Sequence, residues 1–403
     1  MDEHYLTADE AARTLGVTIK SLYAYVSRKR IRTRAVAGTR NRLYWREDIE
    51  ALRRQQRPSK SEASPVLVER TAITLLSPQG PFYRGRLVTD LAQSESVESV
   101  AALLWNQDAA SLFGARLPRI PPAVDVVREG MRGLGPIDQA IATLALVEQA
   151  NPRSYNMSPE GYAETGADVL RWFVTLLVND TRPSERPVHE WIAKATGAPS
   201  GYDDIIRRLI ILFADHELAP ATYAVRAAAN TGVTPYQAVS VGLNVMRGRR
   251  MVAGRTNAIR RLIEEVLASS DPVAPIIQRY RDGEMLPGFG DGVYSGSDAR
   301  AVDLLGALET RFGDEMQTAR MLAAVNAVRE ICGSEPDFIV PYLFVERQLG
   351  LGNSEGGLGT ASRLIGWLAH AAEQFQDAGM IRFRTAYTGP LPASKVASGK
   401  GPR

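Results

Sequence analysis

Apolar residues recur at helical spacing along most of this 403-residue chain, and that periodicity constrains the fold more than any other feature. From Tyr202 to Phe213, the residues Ile205, Ile206, Leu209, Ile210, Leu212 and Phe213 cover one broad face, as on a buried helix. The same period runs through Val97–Trp105, Ile137–Gln149, Ala258–Leu267 and Ser362–Gln374. Alternating strand patterns are scarce, so the bulk of the chain is predicted to be a large all-α body. The length exceeds what one ordinary domain needs, so at least two packed units are expected. With 45% apolar and 23% charged residues, neither a disordered nor a fibrous chain fits. The best apolar run, Trp172–Val178, falls far short of the ~18 residues of a membrane span. The start, Met1-Asp2-Glu3-His4, is acidic and has no apolar signal core, so a cytoplasmic protein without a membrane partner is expected. The single cysteine, Cys332, excludes internal disulfides and multi-cysteine metal sites, and no metal is expected.

Charge divides the chain. Residues 1–60 carry 14 Lys/Arg against 7 Asp/Glu, whereas the other 343 carry 34 against 38. A basic head on a mildly acidic body points to a polyanionic partner for the head, or to a solvated charged surface. The polar, proline-bracketed stretch 57–65 reads as a linker between a head at 1–56 and a body at 66–389, and the Gly/Pro/Ser/Lys-rich stretch 390–403 as a poorly ordered tail.

Within the head, Thr7-Ala8-Asp9-Glu10 is a capping box, Leu6, Ala11, Ala12 and Leu15 supply an apolar side, and Gly16 ends the helix. Thr18 caps a second helix that carries Leu22, Tyr23 and Val26 inward and presents Lys20, Ser21, Tyr25 and Arg28 outward. An arginine-rich run from Arg30 to Arg42 turns at Gly38, Leu43-Tyr44-Trp45 resumes as a strand, and a short helix starts at Asp48. Helix, tight turn, helix, hairpin, helix is the order of a winged helix-turn-helix. Through Tyr5-Leu6-Thr7-x-x-Glu10-Ala11-Ala12-x-x-Leu15-Gly16-Val17 and Ser21-Leu22-Tyr23-x-Tyr25-Val26, residues 4–56 resemble the MerR/excisionase-like DNA-binding domains. That resemblance implies double-stranded DNA as partner. Lys20, Ser21, Tyr25 and Arg28 would enter the major groove, and wing arginines such as Arg40 and Arg42 would touch phosphates. Such heads also serve as protein-docking modules.

Four ordered stretches of the body carry a second resemblance. They are Phe82-Tyr83-Arg84-Gly85-Arg86 with Val100-Ala101-x-Leu103-Leu104-Trp105; Asp215-His216-Glu217-Leu218-Ala219-Pro220-Ala221-Thr222; Pro287-Gly288-Phe289-Gly290 with Val293-Tyr294 and Asp298-x-Arg300-Ala301; and Pro336-Asp337-Phe338, Gly366-Trp367-x-x-His370-x-x-Glu373-Gln374 and Ile381-Arg382-x-Arg384-x-x-Tyr387-Thr388-Gly389. Residues 66–389 thereby resemble the citrate synthase family, citrate and 2-methylcitrate synthases included. The resemblance implies an all-α large domain and a small one (about 251–338), and a homodimer. It also implies an acyl-CoA such as acetyl-CoA as co-substrate, with oxaloacetate or a similar dicarboxylate and no permanently bound cofactor.

By the same resemblance Asp337 is the base, His216, Arg300 and Arg382 hold substrate carboxylates, and Pro287, Gly288, Phe289 and Gly290 meet coenzyme A. The family's two catalytic histidines are replaced, one by Met251 or Val252 and the other by Asp291. Losing one such proton donor typically costs ~10²–10⁴ in rate. A charged Asp291 would repel a dicarboxylate, whereas a protonated one could donate. Arg249, Arg250 and Arg255 crowd the altered loop, where they meet CoA phosphates or are simply solvated. Each clamp arginine can equally be a structural ion pair, Asp337 a helix cap and His216 a satisfied helix-end histidine. Three functions follow: a CoA/carboxylate-responsive DNA-binding regulator or low-activity synthase, an active citrate synthase, or a non-catalytic subunit beside an intact synthase chain.

Overall fold

The computed structural model describes residues 5–29, 31–36, 39, 41–46, 48, 49, 52, 70–114, 117–248, 255–290, 293, 294, 296–351 and 356–377. The chain forms two compact units, residues 1–68 with 383–403, and residues 69–382.

In the first unit the capping box is built as expected. The Thr7 N–H donates to Glu10 Oε2 (2.8 Å), and the Glu10 N–H donates to Thr7 Oγ1 (3.3 Å). The helix Ala8–Leu15 stops at Gly16, whose φ of 66° is a conformation that glycine adopts without strain. Thr18 accepts the Ser21 N–H (3.2 Å) and opens the helix Ile19–Lys29. Leu6, Ala11, Ala12, Leu15, Leu22, Ile31, Tyr44, Ile49 and Leu52 form a small core. Tyr23, expected inside, is 57% exposed. Consecutive helical residues point about 100° apart, so Leu22 takes the inner position and Tyr23 is turned out.

The hairpin Thr33–Ala35/Arg42–Trp45 is antiparallel. A third strand, Tyr5–Leu6, pairs on the other side of Arg42–Trp45, and two residues are too few for an alternating pattern to betray it. Arg34 lies 4.5 Å over the Tyr5 ring, and Arg32 grips Asp48 through two N–H groups (2.9 and 3.1 Å).

The second unit is helical, and each helix forecast from periodicity is present: Val97–Trp105, Pro136–Gln149, Tyr202–Phe213, Arg255–Ala268 and Gly357–Gln376. A small antiparallel sheet, Thr74–Ser77, Gly80–Tyr83 and Arg86–Leu87, adds what the pattern did not predict, its strands being two to four residues long. Arg84 and Gly85 (φ 45° and 84°) make its second turn, the positive-φ pair that two-residue hairpins favour. His189 lies buried in the helix Val188–Thr196, which begins directly after Pro187.

The helix Gly357–Gln376 packs against the helices Pro159–Leu177, Tyr202–Phe213, Pro220–Ala229 and Pro235–Met246. Helices between Arg255 and Cys332 pack on one another and join the same apolar core. No described helix is long and apolar enough to cross a membrane.

Close approach around the central helix depends on small residues. A Cβ on Gly242 would sit 2.7 Å from the Trp367 ring and 2.9 Å from Val225. Gly242→Ala is therefore expected to destabilise the folded chain by about 1–3 kcal/mol, the usual cost of overpacking a core, seen as a lower midpoint in thermal or denaturant unfolding.

Candidate functional site

The site starts where the helix Tyr202–Phe213 ends. The Tyr83 hydroxyl lies 3.1 Å from the Ile211 and Asp215 carbonyl oxygens and accepts the Asp215 N–H (3.0 Å), fixing the turn that carries His216. The Gly366 N–H donates to the Ala214 carbonyl (3.2 Å). A Cβ on Gly366 would lie 2.4 Å from Asp215 Oδ1, so only glycine lets the helix approach this turn.

Behind the turn runs a buried polar chain. His370 Nε2 meets Asp215 Oδ2 (3.2 Å), His370 Nδ1 meets Arg226 (3.1 Å), and Arg226 donates to Glu373 (2.6 Å). Glu373 in turn accepts the Ala72 N–H (2.7 Å). Burial would raise the Asp215 carboxyl, but His370 and Arg363 hold it below its ordinary value.

Two cations face the other side of the turn. Arg300, buried, is gripped by Asp298 through Nε (3.0 Å) and Nη2 (2.7 Å), which outweighs the burial that would strip its charge. Arg363 is partly buried, with its guanidinium 4.2 Å over the Phe213 ring. Burial, and the repulsion of Arg300, lower it to about 10, so it remains charged at neutral pH. The Nη1 atoms of both arginines are buried and have no hydrogen-bond partner among the described residues. His216 pairs with the Tyr294 hydroxyl (3.0 Å) through Nε2. Burial, then Arg300 and Arg363, push its imidazole down to about 2, so it is neutral. Two cations, a neutral imidazole and a phenol make a wall whose groups suit an anion with more than one carboxylate.

Asp337 lies beside this wall, and its neighbour Phe338 stacks under the Arg300 guanidinium at 5.1 Å. Its N–H donates to the Gly288 carbonyl (2.9 Å), and the Gly290 N–H donates to Glu335 (3.2 Å), so the loop 287–290 is laced to the strand-like segment before Asp337. Gly288 has φ 85° and its Cβ would strike Val340 at 2.5 Å, which explains glycine there. One carboxylate oxygen of Asp337 accepts the N–H of Ile339 (2.9 Å), the first residue of the helix Ile339–Gln348, whose N-cap position is Phe338. The other accepts from the guanidinium of Arg255, the first residue of the helix Arg255–Ala268. Burial raises the Asp337 carboxyl above the ordinary carboxylate range, against the opposing pull of Arg255.

The structure thus gathers His216, Arg300, Asp337 and the loop Pro287–Gly290 into one region. Met251, Val252, Asp291 and Arg382 lie outside the described residues, as do Arg249, Arg250, Arg40 and the side chains of Tyr25 and Arg28. In the other unit Lys20 and Ser21 are exposed, and Arg42, also exposed, donates to Thr33 (3.1 Å). Two residues escaped the reading of the sequence. Arg363 could have been found as the charge on a helix otherwise buried nearly all round. Arg255 stood out only as one of three arginines in a loop, with nothing in its spacing to tie it to Asp337. Among the described residues no cluster of three His, Cys, Asp or Glu side chains could hold a metal.

The unit is mainly helical and sets two guanidiniums and a neutral histidine beside a carboxylate and a glycine loop. A family model, citrate synthase C-terminal domain, matches residues 62–384, and the chain belongs to the citrate synthase family. It is similar to the citrate synthase of Mycolicibacterium smegmatis, at 25% identity over 82% of this chain and 95% of that enzyme. It is also similar to the 2-methylcitrate synthase of Mycobacterium tuberculosis, at 25% identity over 83% and 92%. The match to the Haloferax volcanii citrate synthase, at 27% identity, covers 45% of this chain and 48% of that one. Among solved structures, the fold resembles citrate synthase from Pyrobaculum aerophilum (TM-score 0.68, 19% identity, 81% and 91% coverage). It also resembles the Thermoplasma acidophilum citrate synthase in ternary complex with carboxymethyl coenzyme A and oxaloacetate (0.65, 20% identity, 82% and 96%).

The neutral His216 gives a pH prediction. In the unfolded chain this imidazole takes a proton near pH 6.5, whereas in the fold it does not, so the unfolded state binds more protons and stability falls as pH drops below 6.5. Between pH 7.5 and 5.5 the protein should lose about 1 kcal/mol through this residue, and His216→Gln should flatten the pH dependence of denaturant unfolding by that amount.

Proposed function

We propose that the large unit binds a dicarboxylate beside an acyl-CoA, that this occupancy controls DNA binding by the small unit, and that condensation runs far below the rate of an intact synthase. The observation that carries the reading is at Asp337, whose side chain meets Arg255 while each described histidine is engaged elsewhere. His216 faces Tyr294, and His370 is locked between Arg226 and Asp215. The electrostatic neighbours of His189 are Glu98, Glu190, Arg207 and Asp203. His4 belongs to the other unit.

Joining an acyl-CoA to a ketone needs a base for the acyl carbon, a donor for the thioester oxygen and a donor for the ketone oxygen. Asp337 can serve as the base. With Met251 or Val252 and Asp291 at the other two positions, neither donor is an imidazole. Binding is better provided for, because Arg300 and Arg363 offer two cations to two carboxylates and His216 a neutral hydrogen-bonding partner. Arg382 would add a further clamp, and the backbone of Pro287–Gly290 would face the coenzyme. Oxaloacetate is the dicarboxylate of choice, being the one in the Thermoplasma complex.

The small unit reads as a MerR/excisionase-like winged helix-turn-helix. Its support is the capped helix ending at Gly16, the second helix with Lys20 and Ser21 exposed, and the hairpin with Arg42 exposed. In a homodimer the two-fold axis would present two such heads to a palindromic site. An active citrate or 2-methylcitrate synthase is the second reading, favoured by the burial-raised carboxyl of Asp337, which suits a group that must take up a proton.

Thiol release from acetyl-CoA and propionyl-CoA with oxaloacetate decides between them, run beside CoA and oxaloacetate binding titrations and a duplex-DNA binding assay. The expected outcome is binding of both ligands, thiol release at least about 10³-fold slower than by the mycobacterial relatives, and a DNA affinity that changes when the ligands are added. Fast turnover abolished by Asp337→Asn, with DNA affinity indifferent to ligand, would establish the synthase instead. On the DNA side, Lys20→Ala and Arg42→Ala should each weaken binding, with Arg42→Ala reducing the salt dependence.

A further inference from the structure

The Arg255–Asp337 pair is not explained by folding needs alone. Asp337 is nearly buried and already receives the Ile339 N–H, so its remaining oxygen is the one open to a reacting group, and that oxygen meets a guanidinium whose side chain is 47% exposed. Among the described residues Arg255 has no hydrogen-bond partner besides Asp337, which leaves most of its N–H groups uncommitted. The pair also lies next to the loop 287–290, since Gly288 accepts the Asp337 N–H.

We propose that Arg255 supplies the thioester-oxygen donor in place of the lost imidazole, so that Arg255 and Asp337 together enolise an acyl-CoA. The inference rests on the reading of Asp337 as a base beside bound acyl-CoA. In the step, a C–H bond of the carbon next to the thioester breaks and its proton passes to the Asp337 carboxylate. The electron pair forms a C=C bond, and the C=O pair moves onto oxygen as an enolate held by the Arg255 N–H groups. Return of a proton to carbon restores the thioester, with no oxidant or co-reactant consumed. A guanidinium is a donor that does not surrender its proton. It therefore stabilises an enolate ion without protonating it, and its positive charge opposes the rise that burial imposes on the Asp337 carboxyl.

The test is exchange of the acetyl-CoA methyl hydrogens into deuterium oxide, followed by NMR on the full chain with and without oxaloacetate, together with an acetyl-CoA binding titration. The wild-type chain should exchange, and Asp337→Asn should not. Arg255→Gln should exchange about 10²-fold more slowly at near-equal acetyl-CoA affinity, the usual loss when one oxyanion donor goes. Arg255→Lys should recover part of the rate. The acid limb of the exchange profile should move to higher pH in Arg255→Gln, because the cation that favours the carboxylate has gone.

Exchange lost in Asp337→Asn but undiminished or faster in Arg255→Gln would overturn the role of Arg255 and leave the base in place. Acetyl-CoA bound without any wild-type exchange would also overturn it. No acetyl-CoA binding at all, or exchange indifferent to Asp337→Asn, would sink the reading of the site beneath it.

Discussion

Two guanidinium groups, the buried Arg300 and the partly buried Arg363, press against one helix end. Asp298 covers one edge of Arg300, and Asp215 lowers the cost of Arg363 from a distance, but among the described residues each arginine keeps a buried Nη1 without a partner. Buried charge without full pairing is costly, so the surroundings must hold these groups in place. The aromatic rings of Phe213, Tyr294 and Phe338 frame the cations, and the turn carrying Asp215 and His216 is tied down by Tyr83, Gly366 and the His370–Arg226–Glu373 chain. Burial and the field of the two arginines keep His216 neutral.

Much of this packing is glycine-dependent. Gly359 lets the last described helix press on Phe213 and Tyr342, Gly366 lets it meet the Asp215 turn, and Gly242 receives Trp367. The helix bearing Arg363 is therefore drawn against the core along its length. A buried arginine on a loosely packed helix could turn out to water, whereas here its position is set by close contacts above and below.

Periodicity made the helices legible, because each buries a continuous face: Ile205, Ile206, Leu209 and Ile210 repeat at 3.6-residue spacing and lie inside. The short strands were not legible, since Tyr5–Leu6 and Arg86–Leu87 hold too few residues to alternate. His216, Arg300 and Asp337 could be named because each sits in a motif whose neighbours are distinctive. Arg363 sits in no such motif, its one signal being a charge within an apolar run, and the Arg255–Asp337 pair joins residues 82 positions apart, a contact that no local pattern encodes. Tyr23 was placed inward beside Leu22, where tertiary packing decided which of the two neighbours faced the core.

The central claim is that Arg300, Arg363 and His216 form a site for a dicarboxylate inside a citrate synthase-family body. Calorimetric titration of oxaloacetate into the full-length protein and its Arg363→Met variant tests this directly. Saturable binding to the wild-type chain is expected, weakening by at least about tenfold in the variant through loss of one charge-assisted carboxylate contact. Equal affinity in both proteins, or heat of dilution alone from the wild type, would contradict it.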